Sequence, residues 1–391
     1  MNEARFLAQS GETRLQPITL AKVDVTVYRA PIEQPVKAAF GTMTNRPAVI
    51  VKAVERDGTV GYGEIWSNFP QCGAEHRARL ALGTCAPLII DRAWTSPAEV
   101  FDDLSERLRT LAIQAGEPGP VSQAIAGIDT ALWNLAAKRE RLPLWRLLGS
   151  DGDGRVPAYA SGINPGGSLE QAKKAAADGY RAFKLKIGFD RERDLANLRA
   201  LRNDLGPDAP IMVDANQAYD LDEAVAMSEL LAPCRPAWLE EPLPADSSIE
   251  DWKQLAEASP IPLAGGENIR GDSAFDEVIA AGIFSVIQPD LAKWGGITKG
   301  LPLAKRIQEG GARYCPHYLG GGIGLLASAH LLAAAGGDGI LEIDSNRNPL
   351  REGLAKPYPL LIDGDFVLSD APGLGVTPDP LMGCYALPVL A

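Results

Sequence analysis

The pattern of apolar and polar positions changes character near the middle of the chain. From residue 18 to about 66, apolar residues alternate with polar ones as in β-strands, and Asp57-Gly58 between two such runs predicts a hairpin. From about 74 to 139, apolar residues recur every three or four positions, which is typical of amphipathic helices. Strands followed by helices predict an α+β domain over residues 16–150.

Beyond residue 150, short apolar strands alternate with helical stretches. Parallel strands need crossover connections of this length, and eight near-equal units favour a closed barrel over a doubly wound sheet. The sequence therefore predicts an α/β fold, a modified (β/α)8 TIM barrel over residues 151–355 with an α+β capping domain formed from the N-terminal segment and the C-terminal tail. The candidate strands are 156–162, 183–188, 210–216, 237–242, 261–268, 284–290, 312–318 and 339–344.

The two ends of the chain lie outside these units. Residues 1–15 are interpreted as an N-terminal extension. In the tail, residues 356–391, Asp363-Gly364 predicts a second hairpin, and we expect this segment to return to the first domain.

One titratable residue marks the end of each strand from the second to the eighth. The C-terminal ends of barrel strands form the mouth in which TIM-barrel active sites lie. A single residue of this kind could be a solvated charge or a helix cap. Seven in register with the strand period indicate an active site instead: Lys186, Asp214, Glu240, Glu267, Asp290, His317 and Glu342.

The carboxylates Asp214, Glu240 and Glu267 end three consecutive strands and can converge on the rim. Three hard oxygen ligands fit Mg²⁺, with Mn²⁺ as the second choice. Without a cation, they would be driven toward protonation by mutual repulsion. Because Glu241 follows Glu240 directly, strand alternation lets only one of these two face a metal.

Candidate acid/base groups come from both sides of the mouth. Lys184 and Lys186 lie two apart on one strand, so their mutual repulsion and burial predict a lowered pKa and a general base; surface lysines are the other interpretation. Asp290 can orient and activate His317 as a second acid/base. Glu342, as a neutral acid, could donate to an oxygen that becomes negative during a reaction.

Two other features carry simpler interpretations. His330 lies in an apolar helix and is expected to be a packed core histidine. The segment 322–327, GIGLLA, matches a dinucleotide-binding pattern, but it follows the seventh strand with one strand left, so the required βαβαβ unit is missing. This loop could instead hold an anionic substrate group at a helix N-terminus.

Composition narrows the classes of partner. The chain is 46% hydrophobic and 23% charged with a net charge of −12, which predicts a folded protein with neither nucleic acid nor membrane as a partner. The start lacks an apolar signal segment, so a cytoplasmic protein is expected. Five dispersed cysteines and three histidines exclude a disulfide framework and a histidine-based metal cluster, which leaves oxygen ligands for any metal.

Seven segments in order resemble the enolase superfamily, specifically its mandelate racemase subgroup, over about residues 16–391. They are FKLKIGF, IMVDANQAY, WLEEP, GGEN, QPDLAKWGG, CPH and LEID. The resemblance implies Mg²⁺ on Asp214, Glu240 and Glu267, with the first glutamate of WLEEP as the ligand. It also implies Lys186 and the His317–Asp290 dyad as bases, and Glu342 as the electrophilic acid.

Asp290 is the residue that makes the sequence resemble the mandelate racemase subgroup in particular, because the muconate-lactonising and dipeptide-epimerase-like subgroups carry a lysine at its position. Lys293 resembles a neighbour that supports the acidic rim. The resemblance further implies a homo-oligomer, from a dimer to an octamer, that acts on a small anionic carboxylate substrate.

The chemistry that the resemblance implies is removal of the proton α to a carboxylate through an enediolate. Dehydration of a sugar acid to a 2-keto-3-deoxy acid is the expected outcome. A racemase or epimerase of a 2-hydroxy acid or an amino-acid derivative, and a lactone cycloisomerase, are alternatives with the same residues. A Schiff-base aldolase using Lys184 or Lys186 and a non-catalytic sugar-acid binding protein are the competing classes.

Substrate selection is expected from two loops of the first domain, residues 40–46 (FGTMTNR) and 66–76 (WSNFPQCGAEH). A mixture of polar and aromatic residues favours small polyhydroxy acids over an aromatic acid. The candidate contacts are Thr42, Thr44, Asn45, Trp66, Asn68, Phe69 and His76, together with Asn216 after the third barrel strand.

Overall fold

The computed structural model describes residues 15–38, 41–387 and 389 of the chain. The extension predicted over residues 1–15 therefore lies outside the described residues except for Leu15, and so does Phe40 at the start of the first substrate segment. Within the described ranges, no helix combines the length and apolar character needed to span a membrane.

The first domain packs helices against an antiparallel sheet. Its strands are β1 (Ile18–Ala38), β2 (Gly41–Glu55), β3 (Val60–Ile65) and β4 (Ala93–Trp94). Its helices are α1 (Gly73–Leu80), α2 (Ala86–Ile89), α3 (Pro97–Gln114) and α4 (Pro118–Arg139), with a π-helical segment (Ala81–Cys85) before α2 and the short α5 (Leu144–Leu147) at the end. The predicted hairpin at Asp57-Gly58 is confirmed between β2 and β3.

Eight strands and the helices after them form the second domain. The strands are β5 (Arg155–Ile163), β6 (Phe183–Lys186), β7 (Ile211–Asp214), β8 (Leu239–Glu240), β9 (Leu263–Gly265), β10 (Val286–Ile287), β11 (Arg313–Tyr314) and β12 (Leu341–Asp344). The helices are α6 (Ser168–Ala177), α7 (Arg191–Leu205), α8 (Leu221–Leu231), α9 (Ile249–Ala258), α10 (Asp272–Ala281), α11 (Gly296–Glu309), α12 (Gly322–Ala335) and α13 (Pro349–Glu352), and a 3-10 turn (Ala232–Cys234) follows α8.

The pairing of these strands confirms the predicted barrel. Strands β5 to β11 pair in parallel in chain order, and β12 pairs in parallel with β5. The barrel is modified at its end, where α13 has only four residues. Lys186 pairs with Asp214 and Asp214 pairs with Glu240, so these three predicted site residues lie side by side on adjacent strands.

The C-terminal tail contributes to both domains. It contains β13 (Ala355–Lys356), β14 (Leu360–Ile362), β15 (Asp365–Val367), β16 (Thr377–Pro378), a 3-10 helix (Pro380–Tyr385) and β17 (Ala386–Leu387). The predicted hairpin forms between β14 and β15, and β15 pairs with β5, so this part of the tail extends the barrel sheet. β17 does pair with β1 of the first domain.

Helix α4 lies between the first sheet and the barrel. Close approach to β3 requires glycine, because a Cβ on Gly63 would lie 2.1 Å from the carbonyl oxygen of Gly127. Toward the barrel, the buried carboxylate of Asp129 accepts hydrogen bonds from the amides of Ile297 (2.7 Å) and Thr298 (3.0 Å) at the N-terminus of α11. A carboxyl cap of this kind accepts from the free amides at the helix N-terminus and joins the two domains.

Replacing Asp129 by alanine is expected to lower the free energy of unfolding by on the order of 3 kcal/mol, because two amides and the Thr298 hydroxyl lose their acceptor in the interior. Urea denaturation measures the change. The control is Asp102→Ala, since Asp102 is 62% exposed in its ion pair with Lys299 and its removal should cost no more than about 1 kcal/mol. Equal losses in the two variants would contradict the role assigned to Asp129.

Candidate active site

A cavity of about 310 Å³ lies at the mouth of the barrel, beneath the first domain. Its walls come from the ends of the barrel strands, from β2 and from the segment after β3. The lining residues are Met43, Arg46, Trp66, Asn68, Phe69, Gly162, Asn164, Lys186, Asn216, Gln217, Glu241, Glu267, Asn268, Lys293, His317, Leu319, Asp344 and Asn346.

The predicted acid/base and metal residues gather at this cavity in two layers. Lys186, Glu267 and His317 line it. The other five predicted residues are almost fully buried and contact one another or the lining residues from behind: Lys184, Asp214, Glu240, Asp290 and Glu342.

The predicted histidine–aspartate dyad is formed. His317 Nδ1 lies 2.8 Å from Asp290 Oδ2, and the other oxygen of Asp290 accepts from the amide of Ala292 at 2.9 Å. His317 Nε2 faces Glu267 Oε2 at 3.0 Å. Burial lowers the pKa of His317, but the Glu267 and Glu342 carboxylates raise it to about 9. The imidazole is therefore protonated near neutral pH and can serve as a general acid.

The two lysines share Asp214 but differ in their other partners. Lys184 Nζ lies 2.5 Å from Glu240 and 2.7 Å from Glu342 inside the barrel, whereas Lys186 Nζ contacts Asp214 (2.5 Å) and Asn216 (2.9 Å) at the cavity. Burial lowers the pKa of each lysine, but the carboxylates outweigh burial and raise it above the usual value. The predicted lowering of the lysine pKa is therefore wrong in this arrangement, because attraction to carboxylates exceeds repulsion between the lysines.

Glu342 differs from its prediction in position and charge. It is the second of four residues in β12, is fully buried, and accepts from the Ser161 hydroxyl at 2.5 Å. Burial raises its pKa, but Lys184 and His317 bring it below the usual value. Glu342 is thus an ionised carboxylate behind the cavity rather than a neutral acid facing it. Asp344, the last residue of β12, lines the cavity instead.

Glu240 and Glu241 are both buried but have different partners. Glu240 accepts from Lys184, from Trp238 Nε1 (3.1 Å) and from Gln288 Nε2 (2.7 Å) inside the barrel. Glu241 has a φ of +38°, lines the cavity and accepts from Asn268 at 3.0 Å. The left-handed backbone at Glu241 breaks the simple strand alternation from which the sequence argument started.

The donor set at the base of the cavity fits a divalent cation by its chemistry. As the side chains stand, no group of three His, Cys, Asp or Glu within the described part of the chain is arranged to hold an ion, and Lys186, Lys184 and Lys293 contact the three predicted metal ligands. The buried acidic groups nevertheless outnumber the basic ones, and burial raises the pKa of Glu240 to about 7 and that of Glu241 to about 8. A divalent cation would hold these carboxylates in the ionised form, and hard oxygen donors suit Mg²⁺. The acidic groups are Asp214, Glu240, Glu241, Glu267, Asp290 and Glu342, and the basic groups are Lys184, Lys186, Lys293 and His317.

The predicted substrate contacts are only partly brought to the cavity. Trp66, Asn68 and Asn216 line it, and so does Phe69. The other four contacts, Thr42, Thr44, Asn45 and His76, do not line the cavity.

The positions of these four residues follow from the secondary structure. Residues 41–46 begin strand β2 in place of a loop, and Thr42 and Thr44 are exposed on it. Asn45 accepts from Arg29 at 2.9 Å. His76 lies on α1 and contacts Glu117 at 2.9 Å, away from the mouth.

Sequence reasoning missed a set of polar residues in the cavity wall. Arg46 from β2 forms an ion pair of 2.7 Å with Asp344 at the end of β12, and Asn164 and Asn346 continue the wall. A usable signal existed, because Arg46 is the one basic residue in the segment 40–46 and Asp344 is the second acid in LEID.

The N-terminus of α12 holds a carboxylate of the protein itself. Glu64 from β3 accepts from the amides of Gly321 (2.6 Å) and Gly324 (2.9 Å). The glycine segment considered as a binding site for an anionic substrate group is thus occupied by Glu64, which corrects that interpretation. His330 on the same helix is buried and contacts the amide of Trp145 at 3.1 Å, which confirms it as a core histidine.

The pH dependence of stability should report on Glu64. Burial raises its pKa from an ordinary 4.5 to about 7, although the glycine amides oppose this. The folded state therefore keeps a proton that the unfolded chain releases above about pH 4.5, and the stability this proton provides is lost as pH rises through about 7. We expect Glu64→Gln to lose less stability than wild type over this range, measured as the unfolding temperature against pH. If the unfolding temperatures of the two proteins changed with pH in parallel, Glu64 would not be the group responsible.

Two family models match the chain. Residues 22–149 match the mandelate racemase/muconate lactonizing enzyme N-terminal domain, and residues 168–382 match the enolase C-terminal domain-like family. An arabinonate dehydratase from Saccharolobus solfataricus is 30% identical over 329 residues, which cover 82% of this chain and 85% of that protein. Sugar-acid cycloisomerases and other sugar-acid dehydratases also occur among the relatives.

Solved structures agree with these matches. A mandelate racemase/muconate lactonizing enzyme from Bordetella bronchiseptica RB50 is 52% identical, with a TM-score of 0.88 and coverage of 93% of this chain and 98% of that one. A racemase from Streptomyces coelicolor A3(2) with bound magnesium is 27% identical, with a TM-score of 0.84 and coverage of 94% and 100%. The protein therefore belongs to the mandelate racemase/muconate lactonizing enzyme family of the enolase superfamily.

Proposed function

We propose that the protein is a Mg²⁺-dependent dehydratase that converts a sugar acid, an aldonate or aldarate, to a 2-keto-3-deoxy acid. The observation that carries the proposal is the convergence of Lys186, the His317–Asp290 dyad and a set of buried carboxylates on one cavity. Relatives that dehydrate sugar acids, and a neighbouring structure with bound magnesium, support the same chemistry.

The metal would be held by Asp214, Glu240 and Glu267. Mn²⁺ could replace Mg²⁺ on this set of oxygen ligands. When bound, such a cation polarises a substrate carboxylate and stabilises negative charge that develops on it. Lys186 and Lys293 lower the pKa of Asp214 and of Glu267 and so favour the ionised state that a metal ligand requires. Burial raises the pKa of Glu240 to about 7 in spite of Lys184, and a bound cation would lower it.

Two residues of the chain move protons in the proposed reaction. Lys186 Nζ, held toward the cavity by Asp214 and Asn216, would accept the proton from C2 of the substrate as the neutral amine. A metal ion on Asp214 would favour that form, because it would offset the negative charge that raises the pKa of Lys186. His317, oriented by Asp290, donates its Nε2 proton to the hydroxyl on C3. That hydroxyl leaves as water while the C2–C3 double bond forms, and the enol product becomes a 2-keto-3-deoxy acid.

Two features behind the cavity support these roles. Lys184 is enclosed by Glu240 and Glu342, which leaves Lys186 as the lysine of this strand that reaches substrate. Glu342 lies 3.8 Å from His317 Nε2, and its negative charge helps to keep the imidazole protonated.

Racemisation or epimerisation is a second candidate, favoured by one observation. Lys186 on β6 and His317 after β11 both line the cavity, so one of them could remove the proton at C2 while the other donates its own proton to the same carbon. A substrate without a leaving group on C3 would follow this course.

Proton NMR in D₂O tests the proposal with Mg²⁺ and a panel of aldonates and aldarates. New C3 methylene signals with loss of the C2 signal would support dehydration. Loss of the C2 signal alone would support the racemase or epimerase. If neither change occurs with any member of the panel, the sugar-acid proposal is wrong.

A further inference from the structure

The first domain and the barrel meet in a buried ion pair at the cavity wall. Arg46 Nη2 lies 2.7 Å from Asp344 Oδ2, and the two side chains are 4% and 6% exposed. Arg46 Nε is also buried and has no hydrogen-bond partner among the described residues. The pair is neutral as a unit, and this donor is enclosed within the protein, so the pair offers a ligand no unpaired charge.

Side-chain amides extend this wall. The other oxygen of Asp344 accepts from Asn346 Nδ2 at 2.8 Å, and Asn346 Oδ1 accepts from Asn164 Nδ2 at 3.0 Å. Asn346 Nδ2 also donates to the carbonyl oxygen of Gly162 at 2.9 Å. All four of these residues line the cavity. The amide hydrogens of both asparagines are used within the protein, so the wall offers oxygen acceptors of the kind that bind hydroxyl groups.

The wall lies across the mouth from the proposed metal ligands. It comes from the ends of β5 and β12, which pair with each other. Glu240 and Glu267 come from β8 and from the end of β9, half a turn around the eight strands. A substrate whose carboxylate lies at the metal ligands would therefore direct its far end toward Arg46 and Asp344.

No surplus positive charge is available for a second carboxylate. Among the described residues that line the cavity, each of the four basic side chains already contacts a carboxylate: Arg46 with Asp344, Lys186 with Asp214, Lys293 with Glu267, and His317 with Asp290 and Glu267. A second anionic group at the wall would lie beside the Asp344 carboxylate in a buried site, where like charges repel strongly.

We propose that the substrate is a monocarboxylate with an uncharged, hydroxylated far end, an aldonate and not an aldarate. The inference rests on the proposed function and narrows its substrate class. Asp344 excludes a second carboxylate by repulsion, while the carboxylate and amide oxygens of the wall accept hydrogen bonds from hydroxyl groups. Asp344 is accordingly a specificity-determining residue.

The first test compares matched substrates with the wild-type protein. Each aldonate of the panel is paired with the aldarate of the same configuration, and kcat/KM is measured for dehydration and for C2 proton exchange. We expect the aldonate to be favoured by about tenfold or more. If the kcat/KM for an aldarate equalled that for its matched aldonate, the inference would be overturned and the proposed function would stay intact. Failure of every pair to react would overturn the proposed function, and the inference with it.

The second test changes the charge of the wall. Asp344→Asn keeps the size of the side chain and leaves Arg46 uncompensated, so kcat/KM for the aldarate relative to the aldonate should rise by about tenfold to a hundredfold. Asp363→Asn is the matched control, because Asp363 is 76% exposed on the β14–β15 turn and pairs with Arg181. An unchanged ratio in folded Asp344→Asn protein, verified by circular dichroism, would overturn the inference. If that variant does not fold, the wild-type comparison decides alone.

Discussion

Replacing His317 by asparagine is expected to lower kcat for dehydration by about a hundredfold to ten-thousandfold, the usual contribution of a positioned acid or base. His317 lines the cavity, is held by Asp290 at 2.8 Å and has a pKa of about 9 because Glu267 and Glu342 outweigh the effect of burial. Asparagine preserves a hydrogen-bonding side chain but cannot deliver a proton to the leaving hydroxyl.

C2 proton exchange in D₂O separates the steps for this variant. If Lys186 removes the C2 proton, His317→Asn should still exchange it while the 2-keto-3-deoxy product no longer appears. His76→Asn is the matched control, since His76 contacts Glu117 outside the cavity, and its kcat should stay near the wild-type value. Normal product formation by His317→Asn would show that another group is the general acid.

Removal of divalent metal by chelation is expected to reduce turnover by about a thousandfold or more, because metal stabilisation of an enediolate is worth several kcal/mol. The buried acidic groups that line and support the cavity outnumber the basic ones, so no protein cation is left over to take the role. Turnover is measured after dialysis against EDTA and again after Mg²⁺ is restored; Mn²⁺ should restore part of it.

Asp214→Asn is the companion variant for this prediction. Loss of one ligand charge should raise the Mg²⁺ concentration needed for half-maximal activity, which a general loss of folding would not do. Full activity in EDTA would contradict the metal assignment and favour the Schiff-base aldolase, with Lys186 as the lysine. Borohydride trapping of the substrate on the protein would then identify it.

Much of the fold follows from local sequence pattern. Strand and helix periodicity, with regular spacing, was enough to predict the eight barrel strands, and the structure has all eight. The strand ends were equally accessible, since a barrel brings every C-terminal strand end to one mouth whatever the side chains are. For that reason Lys186, Asp214 and Glu240 could be expected as neighbours, and the register confirms this.

The electrostatics could not be read in the same way. The pKa of Lys186 depends on the distances from Nζ to Asp214 and to Lys184, and the sequence contains no distances. Glu342 was expected at the cavity because it was predicted to lie at the C-terminal end of the eighth strand. It is instead the second residue of β12, and this position places it behind the lining residues. A change of a few ångströms reverses the sign of such effects, since Coulomb energy and burial oppose each other.

What the sequence by itself determined was the order of secondary-structure elements, the barrel and the residues at its mouth. Only the tertiary structure decided which residues of the first domain meet them. Arg46 and Asp344 are 298 positions apart, and Glu64 lies 257 positions before the Gly321 amide it binds. Periodicity reports the face of a single element that is buried, whereas these contacts depend on how two domains pack, and that is set by the complementarity of whole surfaces.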